Sequence, residues 1–205
     1  MTRHRLEPRD RLVLSITLTL IAVSLAGVGA FASFTSTASV SQSITSGTVT
    51  IALGASGTAN NRLDVAATGV VPGDTIQRAV NVSNTGNQDF ASISLTTTAT
   101  TSSLLDTDAT NGLQMVIERC SVAWTESGSA PAYTYTCSGT TSTVVSSRAI
   151  IGAGVTFGNV LLTAGSTNNL RVTVTLPSAA GNSLQGLTSV ISYAFTGTQR
   201  AATNK

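Results

Sequence analysis

Two cysteines are the residues whose types and spacing most directly predict a chemical event in this sequence. Cys120 and Cys137 are the only cysteines among 205 residues. An even number of cysteines in an exported chain favours a disulfide bond. A redox-active pair is the alternative, but the spacing is not C-x-x-C, and Arg119 is the only basic residue beside either cysteine. The sequence therefore favours a structural disulfide.

The same cysteines predict the register of a hairpin. If residues 113–124 and 132–138 are antiparallel strands with Cys120 opposite Cys137, the register also pairs Val122 with Tyr135 and Trp124 with Tyr133. Cross-strand aromatic pairs of this kind stabilise a hairpin. Closing a loop of roughly 15–18 residues is worth on the order of 3 kcal/mol in the chain-entropy model.

Histidine is almost absent from the sequence, and this disfavours most catalytic sites. His4, the single histidine, lies in the segment that we expect to be removed on export. Ser-His-Asp triads, Cys-His pairs and H-E-x-x-H zinc sites are therefore excluded from the mature domain. Lys205, the only lysine, is the final residue, where nothing fixes its geometry for a Ser-Lys dyad. A pair of catalytic carboxylates is the remaining alternative, but no pair stands out. We expect no catalytic residues, no metal ligands, no cofactor and no enzymatic activity.

One acidic cluster, residues 106–112, resembles the first half of a calcium-binding loop. Asp106 and Asp108 supply oxygens at alternate positions, and Gly112 supplies a bend. The glycine falls one place late, however, and the twelfth position is Ile117 where a bidentate glutamate is required. A solvated turn that enters the next strand is the favoured interpretation, with cation binding at Asp106 and Asp108 as the alternative.

The elements that must position these residues are strands. Short runs of β-branched and aromatic residues, separated by Gly, Asn or Pro, continue from Val49 onward and show no convincing helical period. Two sets of alternating apolar residues mark half-buried strands: Leu170, Val172, Val174 and Leu176, and then Ile191, Tyr193 and Phe195. The predicted strands are 48–53, 63–69, 75–83, 90–98, 113–124, 132–138, 143–151, 155–162, 169–176 and 188–196. The expected fold is all-β, an antiparallel, jelly-roll-like β-sandwich.

Two turns bracket the predicted strand at 75–83. Residues 71–74 have the sequence Val-Pro-Gly-Asp, in which proline sets φ and glycine accepts a positive φ. Residues 84–87 have the sequence Asn-Thr-Gly-Asn, which is also typical of a turn.

The first 32 residues predict a signal peptide with a signal helix. Four arginines precede an uncharged apolar run from Leu12 to Ala32. Ala30 and Ala32 are the small residues that a signal peptidase requires, so we expect cleavage between Ala32 and Ser33. An uncleaved membrane anchor is the alternative, because the run is long enough to span a bilayer. Either way, the domain that follows is expected to be secreted or held at the cell surface.

Removing this leader leaves a neutral domain. Of 11 basic residues, four are leader arginines, and of 9 acidic residues, Glu7 and Asp10 lie in the leader, so seven of each sign remain. No basic run follows Arg11. We therefore expect no nucleic-acid partner, and contact with a membrane only through the leader.

Several short motifs, in a fixed order, carry a resemblance to a known family. They are Gly27–Thr35 (GVGAFASFT), Ser46–Val49 (SGTV), Val71–Asp74 (VPGD) with Asn84–Gly86 (NTG), and the late segment Asn169–Thr198. Together they resemble the TasA and camelysin-like family of bacterial proteins exported with SipW-type signal peptides. Camelysin relatives carry a metallopeptidase label, which the lack of a mature histidine does not support here.

This resemblance implies a jelly-roll-like domain, cleavage by a SipW-like signal peptidase and assembly into extracellular, biofilm-type fibres by donation of an N-terminal strand. Residues 33–44 form the candidate arm, domain residues 45–205 follow, and the arm's apolar positions share one face of an extended strand: Phe34, Ala38, Val40 and Ile44. The arm has two alternative roles, as the first strand of its own sandwich or as a flexible tether. We expect a self-assembling structural subunit. A monomeric adhesin or binding module, tethered by an uncleaved leader, is the alternative.

Overall fold

The computed structural model describes residues 46–203. The predicted signal helix, the cleavage residues Ala30, Ala32 and Ser33, and the arm all lie outside the described residues. Ten strands, one helical turn and one 3-10 turn make up the described part: β1 (Ile51–Leu53), β2 (Thr75–Asn84), β3 (Phe90–Thr101), α1 (Leu104–Thr107), β4 (Gln114–Cys120), β5 (Thr125–Ser127), β6 (Thr134–Thr136), β7 (Thr141–Ala149), β8 (Gly152–Thr156), β9 (Thr167–Thr175), the 3-10 turn (Asn182–Leu184) and β10 (Val190–Gln199).

The strands form two larger sheets and one small hairpin. The first sheet has the order β1-β2-β9-β4-β7, the second has the order β10-β3-β8, and β5 pairs with β6. Every pairing between these strands is antiparallel. The predicted fold class, an all-β antiparallel sandwich, is confirmed. No helix within residues 46–203 is long and apolar enough to cross a membrane.

One apolar core joins the two sheets. It combines residues of β2, β4, β7 and β9 with residues of β3, and its members include Val80, Ile93, Leu95, Ile117 and Leu170. The alternation predicted for β9 is confirmed, because Leu170, Val172 and Val174 are buried while the residues between them are partly exposed. Burial of aliphatic side chains between the two facing sheets makes the main favourable contribution to the folding free energy of such a sandwich.

The predicted strand at 63–69 is wrong. Leu63 and Asp64 form a turn and the residues after them are irregular. The guanidinium of Arg78 on β2 donates hydrogen bonds to two carbonyl groups of this segment. The Nε of Arg78 donates to the carbonyl of Val65 at 2.9 Å, and one of its terminal nitrogens donates to the carbonyl of Ala66 at 3.4 Å. Because a side chain satisfies these backbone groups, the segment needs no strand partner there.

The predicted hairpin register is also wrong. β4 ends at Cys120, and both of its sides are occupied, by β9 and by β7. The segment around Cys137 therefore has no edge of β4 to pair with. Instead β5 and β6 form the hairpin, with Glu126 opposite Tyr135.

Both predicted turns are present. The amide of Asp74 donates to the carbonyl of Val71 at 3.0 Å, and Gly73 has a φ of +98°. At the second turn, the amide of Gly86 donates to the side-chain oxygen of Asn84 at 3.0 Å. This second turn carries the chain from β2 in one sheet to β3 in the other.

The core gives a direct test of the fold. We expect Leu170→Ala to lower the free energy of unfolding by about 2–5 kcal/mol, because it removes a side chain that is 0% exposed. Leu161→Ala is the matched control, since Leu161 is 44% exposed, and we expect a markedly smaller loss. Urea denaturation followed by tryptophan fluorescence measures both. Equal losses in the two variants would contradict this core.

Candidate functional site

The predicted disulfide is present, although the predicted register is not. Cys120 and Cys137 are bonded, with their Cα atoms 5.7 Å apart. The bond joins the end of β4, a central strand of the larger sheet, to the residue that follows β6. The disulfide therefore ties the small hairpin to the sandwich and does not lie between the two strands of one hairpin.

Two arginines hold the same hairpin against the larger sheet. Arg62 makes a bidentate ion pair with Glu126, in which Nη2 lies 2.6 Å from Oε1 and Nε lies 2.9 Å from Oε2. The guanidinium of Arg62 also lies 4.6 Å from the centre of the Tyr133 ring. Arg171 on β9 pairs with Glu118 on β4 within the larger sheet and lies 4.4 Å from the centre of the Trp124 ring. It reaches the hairpin by donating a hydrogen bond to the carbonyl of Tyr135 on β6 at 3.2 Å. Arginine pairs with both carboxylates and aromatic faces in this way, and such contacts fix orientation.

Glu126 is the centre of the hairpin contacts. It accepts hydrogen bonds from Arg62 and, at 2.8 Å, from the Tyr135 hydroxyl. The hydrogen bond from Arg62 is the main cause that holds the pKa of Glu126 below its ordinary value. Burial, assisted by this hydrogen bond to Glu126, raises the pKa of Tyr135 to about 12.

The cluster at 106–112 matches the predicted solvated turn only in part, because Asp106 and Thr107 belong to α1 and residues 109–112 form the turn that leads to β4. Asp106 is buried and accepts hydrogen bonds from the Ser189 hydroxyl at 2.5 Å, the Ser103 amide at 2.7 Å and the Ser102 hydroxyl at 2.8 Å. Burial alone acts to raise the pKa of Asp106, but these hydrogen bonds outweigh it and lower the pKa. Asp106 thus caps α1 and connects it to the segment before β10.

Asp108 has a similar structural role within the turn. Its carboxylate accepts hydrogen bonds from the amides of Thr110 and Asn111, both at 2.9 Å, and these lower its pKa. The oxygens of both aspartates are therefore directed at donors of the protein itself. Sequence reasoning found the turn but missed the part played by Ser189, which is 83 residues away from Asp106.

Among residues 46–203, the two larger sheets have four edge strands: β1, β7, β8 and β10. β1 has three residues and β8 has five. The outer side of β7 is partly covered, because the amide of Gly158 donates to the carbonyl of Val144 and the side chain of Asn159 donates to the carbonyl of Thr143. β10 is the long edge, with ten residues and no charge.

These features define a class of protein. The described part is an antiparallel sandwich tied by a disulfide, and two of its arginines form ion pairs with glutamates. The sequence profile of the camelysin metallo-endopeptidase family matches residues 9–204, and the chain belongs to that family. Its members are of a secreted or cell-surface kind.

Comparison with other proteins adds little to this assignment. No match was found among curated protein sequences. A solved structure of AvmM, which catalyses macrocyclization in alchivemycin A biosynthesis, is 8% identical over 76% of this chain and 91% of that chain, with a TM-score of 0.30. A similarity at this level supports no functional argument.

The family name implies a metal ion, and the described residues do not fit one. The part of the chain that is described contains no group of three His, Cys, Asp or Glu side chains that could hold a metal. Both cysteines are in the disulfide. Each of the seven carboxylates there accepts a hydrogen bond from a protein donor: Asp64, Asp74, Asp89, Asp106, Asp108, Glu118 and Glu126. A zinc site needs three or four free ligands that converge on one point.

The disulfide should make a measurable contribution to stability. We expect the double variant Cys120→Ser, Cys137→Ser to unfold at a free energy about 3 kcal/mol lower, because the unfolded chain gains loop entropy. Urea denaturation without reductant gives the difference. The wild type in excess reductant should match the variant. An unchanged midpoint, or two reactive thiols in the untreated protein, would contradict the disulfide.

Glu126 should make the fold sensitive to acid. Because its folded pKa is lowered, its stabilising contribution is present above the unfolded pKa and is lost as the pH falls through the folded value. We expect Glu126→Gln to lose less unfolding free energy than the wild type between about pH 7 and about pH 3. Leu161→Ala, which removes no titratable group from an exposed position, is the control and should lose unfolding free energy over this pH range as the wild type does. An identical acid response in wild type and Glu126→Gln would rule out this contribution.

Proposed function

We propose that this chain is a non-enzymatic structural subunit that assembles with copies of itself outside the cell. In this proposal a SipW-like peptidase cleaves the leader before Ser33. Residues 33–44 are thereby released as an arm that adds as a strand to a neighbouring subunit. The product is a fibre of the extracellular or biofilm-matrix kind, and the subunit requires no cofactor.

One observation carries the non-enzymatic part of the proposal. All seven carboxylates of the described domain accept hydrogen bonds from protein donors, and no three His, Cys, Asp or Glu side chains there are grouped so that they could hold a metal ion. The sequence has no histidine beyond His4 to replace them. A site for peptide hydrolysis needs an activated water or nucleophile, which these groups do not supply.

The lack of charge along the β10 edge supports the self-assembly part. Soluble sandwiches usually protect their edges with lysine, proline or inward-pointing charges. The sequence of β10 contains none of these, and the only lysine in the chain is Lys205. The arm has complementary apolar positions at Phe34, Val40 and Ile44, which strand addition would bury.

The arm provides the test. The full chain is secreted from a host with a SipW-type peptidase, alongside the variant Phe34→Ser, Val40→Ser, Ile44→Ser, which leaves the cleavage residues intact. We expect wild-type polymers in sedimentation and electron microscopy, and at least a tenfold lower polymer yield from the variant, since about 1.5–3 kcal/mol of burial is lost with each large apolar side chain.

A matched control distinguishes the effect of losing apolar burial from the effect of any three substitutions in the arm. Thr35→Ala, Ser39→Ala, Ser41→Ala changes the opposite face of the arm and should polymerise as the wild type does. If every protein, including the wild type, stays monomeric at high concentration, the fibre proposal is wrong and the tethered adhesin is favoured. Mass spectrometry of the secreted wild type, with Ser33 as its first residue, tests the cleavage step.

A further inference from the structure

β10 has an outer side without a strand partner in the described part of the chain. It is bonded to β3 from Val190 to Gln199, and register shifts occur only at its two ends. Its sequence, VISYAFTGTQ, has no charge and no proline. A long, regular and uncharged edge of this kind is a template for another strand.

The other edges are poorer templates. β1 is too short to hold a strand of ten residues, and β8 is short and contains Gly152 and Gly154. The outer carbonyls of Thr143 and Val144 on β7 already accept hydrogen bonds from Asn159 and Gly158. The register of β7 with β4 is also irregular. β10 is therefore the edge that is best suited to pair with a further strand.

The side chains of β10 that face the core are not fully buried. Ile191, Tyr193 and Phe195 are only partly buried where they pack on the core. On the neighbouring strand β3, Ile93 and Leu95 are 1% and 0% exposed. A further strand beside β10 would cover Ile191, Tyr193 and Phe195, just as β10 itself lies beside the buried residues of β3. Its side chains must be apolar at every second position, because strand side chains alternate.

The arm has that pattern, and its point of attachment indicates which copy supplies it. The described chain begins at Ser46, and Gly47 lies against the side chain of Gln88. Gln88 in turn accepts a hydrogen bond from Arg200, which directly follows β10. Ser46 and Gly47 therefore lie near the end where β10 finishes, and a strand that continued back from Ser46 along the β10 of the same copy would run parallel to it.

An arm from another copy can approach β10 in either direction, because it is not attached to the same Ser46. Every strand pairing in the described domain is antiparallel, and antiparallel pairs are slightly more stable per residue than parallel ones. We propose that β10 accepts residues 33–44 of a second copy of this chain in the antiparallel sense, so that Ala38 and Val40 cover the row Ile191, Tyr193 and Phe195. This inference rests on the proposed strand donation and adds the acceptor edge and its direction.

Cysteine cross-linking between two differently substituted copies tests the edge. One secreted copy carries Ser39→Cys on the outward face of the arm. The other carries Ala194→Cys on the outward face of β10, or Ser147→Cys on β7 as the matched control, since both positions are exposed. After mild oxidation during assembly, we expect a mixed-dimer yield roughly tenfold higher with Ala194→Cys than with Ser147→Cys, because pairing raises the effective concentration of the thiols.

Two outcomes overturn the proposal in different ways. Arm-dependent polymers that cross-link equally well to Ser147→Cys, or to neither position, mean that strand donation occurs at another edge. Polymers that form unchanged with the Phe34, Val40 and Ile44 substitutions mean that donation itself is wrong. Ala194→Lys, Thr196→Lys gives an independent check, because it should slow assembly at least severalfold while leaving the urea midpoint of the monomer unchanged.

Discussion

Backbone hydrogen bonding at the sheet edges is the constraint on which the rest of this structure depends. Each strand carries a row of N–H and C=O groups that must find partners or face water. At three edges of this sandwich the difficulty is reduced by short strands or by bonds from nearby loops. Within residues 46–203, the outer side of β10 has no strand partner and lies beside a row of apolar side chains that is only partly buried. The proposed assembly follows from this edge.

Several charged residues make contacts that connect separate elements of the fold. Arg62 and Arg171 each bind a carboxylate and an aromatic ring, and together with the disulfide they hold the β5–β6 hairpin on the larger sheet. Asp106 ties α1 to the segment before β10. The family name implies a metal-dependent peptidase, whereas the described residues contain no group of three His, Cys, Asp or Glu side chains that could hold a metal ion.

The local sequence pattern predicted most of the strands. It did not predict which strands pair with each other. The alternation of Leu170, Val172 and Val174 identified β9, and the cysteine count identified the disulfide. The hairpin register failed because β4 already has a partner on each side, and one of them, β9, is some fifty residues further along the chain. The segment 63–69 failed because the side chain of Arg78 binds its carbonyls. The hydrogen bond between Ser189 and Asp106 also joins distant residues, which no local pattern reports.

Amide hydrogen exchange in the assembled polymer tests the central claim most directly. In the monomer, the outward amides of β10 have no strand partner within the described domain and should exchange rapidly, while those of β3 are protected. We expect polymerisation to slow exchange in β10 peptides by at least about tenfold, with little change in peptides from β7 or β8. If β10 exchanges equally fast in monomer and polymer while another edge becomes protected, the β10 edge is not the acceptor.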